Sequence, residues 1–404
     1  MSFTSSRRDL WLLVSARAVS WLGDEVALVA LTLRLQSDGA GAGAVAALLI
    51  ANLAPIVLLT GPVGRLVDRA DNRRLLVASS IGQAAACGVL AFTSAPLAVL
   101  ALMALLGAGQ AVNSATWTAL LPATVPAAEL PRALGLSQAL YTVSGIVAPA
   151  LGGLLVGWYG TRVPLLFDAA TFCVVLGAAL AMTVRRTVAR PASGARPQGG
   201  LAIVRRDALL APLFVLLALL VLIGSMVNVV NVFLVRDTLH ASTTWYGIVG
   251  ASFAVGMLLG ALSAGRLSGQ PALARGFVAA TVLLACGLAG AGAAPSVGWL
   301  LPICVATGVG NGVLNVTLSS LVMGRAREAE RGRVGAVLNG VASGTQLVAF
   351  AGAGLAASVL SPRAIFVLAG LLALSAPVLF GHRLVRAADA DRADSAVMSA
   401  ASAA

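Results

Sequence analysis

Residues 42–74 read AGAVAALLIANLAPIVLLTGPVGRLVDRADNRR. From Ala42 to Val63 there is no charged side chain; Gly64 to Arg74 then carries Arg65, Asp68, Arg69, Asp71, Arg73 and Arg74. An uncharged apolar run of this length crosses a hydrocarbon core of about 30 Å as a helix. The charges that follow must stop at one face of the bilayer. The same punctuation returns 201 residues later, where Gly265-Arg266-Leu267 repeats Gly64-Arg65-Leu66.

Working outward, apolar stretches like 42–63 recur along all 404 residues, of which 59% are apolar and only 10% charged. A soluble domain is nearer half apolar and a quarter charged, and a disordered chain is poorer still in apolar residues. The composition therefore predicts an all-α polytopic membrane protein. Twelve spans are expected, roughly 10–36, 42–63, 74–93, 96–121, 133–157, 163–184, 209–235, 245–267, 273–293, 297–323, 334–360 and 363–385.

All 27 basic residues are arginine, and 22 of them fall in alternate connections and the two ends. The other connections hold Arg162, Arg236 and Arg363, with Arg34 nearby. This asymmetry predicts that both termini and the central loop are cytoplasmic, in a plasma-membrane protein. The net charge of +12 is thereby accounted for by topology, and no nucleic-acid partner is expected. Met1–Arg8 leads into the first span without a signal-peptide cleavage pattern.

Residues 185–208, rich in Arg, Pro, Gly and Ala, read as a flexible cytoplasmic linker. It separates an N-terminal six-helix bundle, 1–184, from a C-terminal one, 209–386; residues 387–404 read as a disordered tail. The halves repeat each other at one offset of 201. Gly107-x-Gly109-Gln110 meets Gly308-x-Gly310-Asn311, Arg132 meets Arg333, and Gln138 meets Asn339. Parallel repeats of this kind are a transporter architecture with the substrate site near the midplane.

Enzyme chemistry finds few candidates. With no lysine there is no P-loop and no Schiff base. The two histidines, His240 and His382, lie at span ends, and Cys87, Cys173, Cys286 and Cys304 are scattered in apolar stretches. They read as inert thiols, and no metal or cofactor is expected.

Gly64-Arg65-Leu66-Val67-Asp68-Arg69-Ala70-Asp71-Asn72-Arg73-Arg74 resembles the G-x-L-A-D-R-x-G-R-R motif of the major facilitator superfamily, with Asp71 and Asn72 departing from it. The resemblance implies two pseudo-symmetric six-helix bundles and a cytoplasmic gate using Gly64, Asp68, Arg69 and Arg73. In the second half Gly269 stands where Asp68 stands in the first. Gly145, Pro149, Gly152 and Gly153 resemble the superfamily's antiporter motif, G-x-x-x-G-P-x-x-G-G, with Ala148 at the second glycine. The stretch TWTALLPATVPAAELPRALGLSQAL, residues 116–140, is similar to the branch of enterobactin and macrolide exporters.

Ionisable groups at membrane depth cost about 2.5–3.5 kcal/mol each and point to function. The first span holds Arg17, Asp24 and Glu25. Arg17 and Asp24 lie seven apart, on one face. A carboxyl alternating between apolar and wet surroundings can take up a proton on one side and release it on the other, and Asp24, then Glu25, are the candidates. Asp168 reads as a structural hydrogen-bonding residue. The resemblance implies that spans 1, 4, 7 and 10 line the cavity. There Gln110, Asn113 and Trp117; Ser225, Asn228 and Asn231; and Asn311, Asn315 and Ser319 each recur at helical spacing. Amides beside apolar walls suit a neutral or cationic amphiphile. The expectation is a monomeric proton antiporter exporting such a molecule, an antibiotic or another secondary metabolite, by alternating access. Importers or facilitators of nutrients, siderophores or lipids, and a receptor or scaffold without transport, are the alternatives.

Overall fold

The computed structural model describes residues 3–126, 129–182, 200–206, 210–325 and 330–378. The described residues form helices and short turns, with no strand among them. The helices are α1 Phe3–Ser37, α2 Ala42–Arg69, α3 Asn72–Leu90, α4 Pro96–Thr124, α5 Leu130–Tyr159, α6 Arg162–Ala181, α7 Gly200–Arg206, α8 Leu210–Phe233, α9 Thr243–Ala264, α10 Gln270–Ala293, α11 Val297–Arg325, α12 Arg331–Ala356 and α13 Pro362–Ala376. Each of the first eleven expected spans overlaps one long helix; the twelfth, 363–385, meets the 15-residue α13 and runs from residue 379 outside the described residues. Among the described residues, nine helices are long and apolar enough to cross a membrane. Large apolar side chains such as Leu58, Phe92, Leu97 and Val359 stand exposed, as a lipid-facing surface requires.

Two expectations change. Residues 200–206, read as flexible linker, form the helix α7, which packs on α8 and α12. The rest of the expected linker, and the tail 387–404, lie outside the described residues. The stretch 64–69, read as loop, continues α2, and the chain turns only at Ala70.

The chain divides into two compact units, Met1–Gly194 with Ser242–Ile248, and Ala195–Ala241 with Val249–Ala404. In the first, α1 packs against α5 and α6, α3 against α4 and α6, and α2 against α4. Its apolar interior includes Leu13, Val14, Trp117 and Val175 in one cluster, and Leu31, Leu48, Cys87, Met103 and Phe172 in another. In the second, α10 packs against α11 and α13, and α8 against α12 and α13. The α8 helix runs on through a π-helical turn, Leu234–Thr238, where Arg236 donates to the Ala241 carbonyl at 2.6 Å.

The repeat read from the sequence is also a repeat of packing inside each unit. A Cβ on Gly107 would strike the carbonyl of Asn52; a Cβ on Gly308 would strike the carbonyl of Phe253, and both members of this pair are shifted by 201. Gly109 lies against Gln83, and Gly310 against Leu284, again 201 further on. Lipid supplies no hydrophobic drive between helices, so close backbone approach through glycine is what holds them together. On α9 and α11 the approach is reciprocal, with Gly256 against Val305, Gly260 against Val309 and Gly312 against Met257.

Candidate coupling site

The α1 helix carries Arg17, Trp21 and Glu25 at spacings of four, with Asp24 beside them, so these side chains share one side of the helix. All four are half-buried. Gln110 of α4 donates its amide to Asp24 Oδ2 at 3.2 Å. Among the described residues Asp24 forms no ion pair with Arg17. Arg17 instead lies within electrostatic reach of Tyr141 on α5, which also feels Glu25. The Trp21 and Tyr141 rings sit 4.4 Å apart between centroids, tilted by 37°. Ser144, one turn further along α5, donates to the Ala18 carbonyl at 2.9 Å. Sequence reading missed Trp21 and Tyr141; Trp21, one turn from both Arg17 and Glu25, was the available signal.

Asp168 of α6 is 1% exposed. The Cys87 thiol donates to its Oδ2 at 3.0 Å. The Thr171 hydroxyl lies 2.7 Å from the Asp168 main-chain carbonyl and 3.2 Å from Oδ1. Gly23, the residue before Asp24, makes this fit possible, since a Cβ there would collide with Asp168 Oδ1 and with Thr171. Asp24 is thus one residue along α1 from the backbone against which the Asp168 carboxyl lies.

The α4 stripe divides. Gln110 turns toward Asp24, whereas Asn113 is buried between α3 and α4. Its amide donates to Gln83 Oε1 at 2.6 Å, its carbonyl oxygen accepts from Ser79, and Gln83 in turn donates to the Leu106 carbonyl at 3.3 Å. Trp117 is 5% exposed and packs among Leu13, Val14 and Leu120. Both side chains, expected in a cavity wall from the family resemblance of span 4, are interior to the first unit; their spacing fixes a shared face and not what the face meets. In the second unit Ser225 is buried, Asn231 and Asn311 are half-buried, and Asn228 and Asn315 are exposed. The Asn315 amide donates to Asn311 Oδ1 at 2.8 Å.

At the end of α2, Asp68 and Arg69 are exposed and Gly64 half-buried. Asp71, a departure from the motif, caps α3 by accepting from the amides of Arg73 and Arg74 at 2.9 and 3.3 Å. Arg73 donates to the carbonyl of Leu180 at the end of α6. On α5, Gly152 meets Val29 of α1, and Gly153 meets Gly247 within the same unit; a Cβ at either would lie 3.0 Å or less from its neighbour. Gly145 has open space around it.

Comparison with known proteins agrees with this architecture. The family model described as Major Facilitator Superfamily matches residues 13–343 and 213–400. Macrolide efflux protein A of Streptococcus pyogenes is 25% identical over 267 residues, which are 62% of this chain and 64% of that protein. Multidrug efflux pump Tap of Mycobacterium tuberculosis is 29% identical over 416 residues, covering 96% of this chain and 98% of the pump. A solved bacterial homologue of the human lysosomal transporter Spinster, inward-facing and unoccupied, superimposes with a TM-score of 0.73 at 12% identity, over 97% of this chain and 99% of that one. The helical spans, the glycine packing that repeats at one offset and the family match over most of the chain have one reading: the protein is a multi-pass membrane transporter of the Major Facilitator Superfamily.

Proposed function

We propose that the protein exports a small amphipathic molecule, an antibiotic or another secondary metabolite, in exchange for protons. It works as a monomer in the cell membrane with both termini cytoplasmic, and residues 1–184 alternate against 209–386 to expose the substrate to each side in turn. The observation that carries this reading is Asp24. It is a half-buried carboxyl in the middle of an apolar bundle, held by a neutral amide and by no cation among the described residues. A static acid at that depth is costly; one that is neutral in one state and ionised in another supplies coupling. Inward proton movement delivers about 2.3 kcal/mol per charge per 100 mV, beside the pH difference itself.

Efflux as the direction is supported by the two efflux relatives and by the close-packed glycines of α5. Asp68, Arg69 and Arg73 are assigned to the cytoplasmic gate. Substrate contacts are assigned to Gln110, Trp21, Asn228, Asn231, Asn311 and Asn315. Aromatic rings beside Glu25 favour a neutral or cationic amphiphile, since a ring face attracts a cation. The test is a proteoliposome with an imposed pH gradient and a radiolabelled macrolide. Accumulation that follows the gradient and collapses with a protonophore is expected; transport indifferent to both contradicts proton antiport.

A further inference from the structure

Asp168 is the buried acid that this reading leaves without a task. Its surroundings are buried and offer it weak donors, which favours the neutral acid. The Thr171 hydroxyl has one hydrogen, and the shorter of its two contacts is to the Asp168 main-chain carbonyl, 2.7 Å against 3.2 Å to Oδ1. That one hydrogen is shared between two acceptors and sits nearer the carbonyl, so Oδ1 receives only the longer contact. A protonated Asp168 carboxyl can donate to the hydroxyl oxygen in its turn, which leaves the Thr171 hydrogen wholly to the carbonyl. With Oδ1–H donating to Thr171 and the Cys87 thiol donating to Oδ2 at 3.0 Å, the neutral acid has each polar atom matched. The carboxylate, on a residue 1% exposed, would have a thiol and a shared hydroxyl hydrogen as its donors and no cation bonded to it among the described residues. A buried charge so weakly held is expensive.

The groups around it agree. From α3 the facing titratable side chain is Cys87. From α1 it is Asp24, the residue after the Gly23 on which the Asp168 carboxyl rests. The third helix packed on α6, α5, has Arg132, Tyr141 and Tyr159 as its titratable side chains, none bonded to Asp168 among the described residues. Gly23 lets the carboxyl of Asp168 lie on the backbone of α1 one residue from Asp24.

We propose that Asp168 is a proton-storing acid paired with Asp24 across the Gly23 notch, so that the two titrate as a unit. Two carboxyls within reach of each other do not both ionise cheaply. When Asp24 ionises, Asp168 keeps its proton; when Asp168 passes its proton to Asp24, the Asp168 carboxylate forms as the Asp24 acid forms, with no net change of charge. The pair then never holds two negative charges inside the bundle. This role rests on the proton-coupling reading of Asp24, while the state of Asp168 is measurable without transport.

The experiment is an infrared pH titration of the purified protein in lipid. The wild type is expected to show, at neutral pH, the C=O stretch of a buried neutral carboxylic acid that Asp168→Asn removes. Cys87→Ala, which keeps the acid and removes its thiol donor, moves that band to higher frequency. Asp24→Asn leaves the band present but moves its titration midpoint by at least about one pH unit, the measure of sites that titrate together. In a Gly23→Ala background, where α6 is pushed off α1, Asp24→Asn no longer moves it. A wild type with no band assignable to Asp168, or a band whose midpoint ignores Asp24→Asn, overturns the proposal. Should Asp168→Asn fail to fold, the Cys87→Ala frequency makes the assignment instead. Loss of proton-driven transport as such would overturn the functional reading and leave this titration unchanged.

Discussion

Replacing Gly308 by alanine tests whether glycine contacts hold the second unit together. A Cβ at this position would meet the Phe253 carbonyl oxygen, and would lie 2.9 Å from Met257 N and 3.0 Å from Phe253 C. Carbon contacts are comfortable at about 3.5–4.0 Å, so α9 must retreat by roughly 0.5–1 Å, which forfeits a quarter to a half of each contact's attraction. If the two backbones share on the order of 40 close atom pairs at 0.1–0.2 kcal/mol each, the retreat costs about 1–4 kcal/mol. Against this stands a gain of about 1 kcal/mol in helix propensity from glycine to alanine. The gain is available alone at Gly177, where a Cβ meets nothing within 4 Å. Gly308→Ala is therefore expected to melt several degrees below the wild type in detergent, and Gly177→Ala at or above it. Gly107→Ala, its counterpart against Asn52, shares the sign and the rough size. Equal melting of Gly308→Ala and Gly177→Ala would refute the reasoning.

Other substitutions separate capping, networks and substrate contacts. Asp71→Ala removes the cap of α3 and is expected to cost about 1 kcal/mol, whereas Asp71→Gly costs a few tenths; thermal unfolding of the two variants compares them. Asn113→Leu leaves Gln83 Oε1 and Ser79 without their partner. Side-chain hydrogen bonds inside membranes average about 0.6 kcal/mol with a maximum near 1.7, so a loss of about 1 kcal/mol is expected in unfolding by denaturing detergent, with substrate affinity unchanged. A fall in affinity without a fall in stability would return Asn113 to the cavity wall. Trp21→Ala is expected to weaken binding of a fluorescent lipophilic cation by about 0.5–2 kcal/mol, the range of a cation–ring contact, with less effect on a neutral macrolide in a competition assay.

The helices were legible because membrane spans announce themselves by length and lack of charge, and no comparable signal marks α7. Its seven residues follow Gly199 in a stretch whose composition reads as linker, and packing on α8 and α12 decides their form. The glycine repeat was visible as Gly107 and Gly308; its meaning was not, because Asn52 and Phe253 lie 55 residues upstream of their partners and glycine has no side chain to declare a contact. Asp24 stood out as an acid in mid-span. The environment of Asp168 did not, since Cys87 is 81 residues away in sequence and reads alone as an inert thiol. Spacing grouped Gln110, Asn113 and Trp117 correctly on α4, yet rotation and depth put Asn113 and Trp117 inside the first unit.

The central claim, that Asp24 couples substrate movement to protons, is tested most directly by comparing two modes of transport in one Asp24→Asn preparation. In proteoliposomes loaded with unlabelled macrolide, exchange for external labelled macrolide needs no proton cycle. It is expected to persist in Asp24→Asn, while accumulation driven by a pH gradient, present in the wild type, is lost. Gradient-driven accumulation of undiminished size in Asp24→Asn would contradict the account.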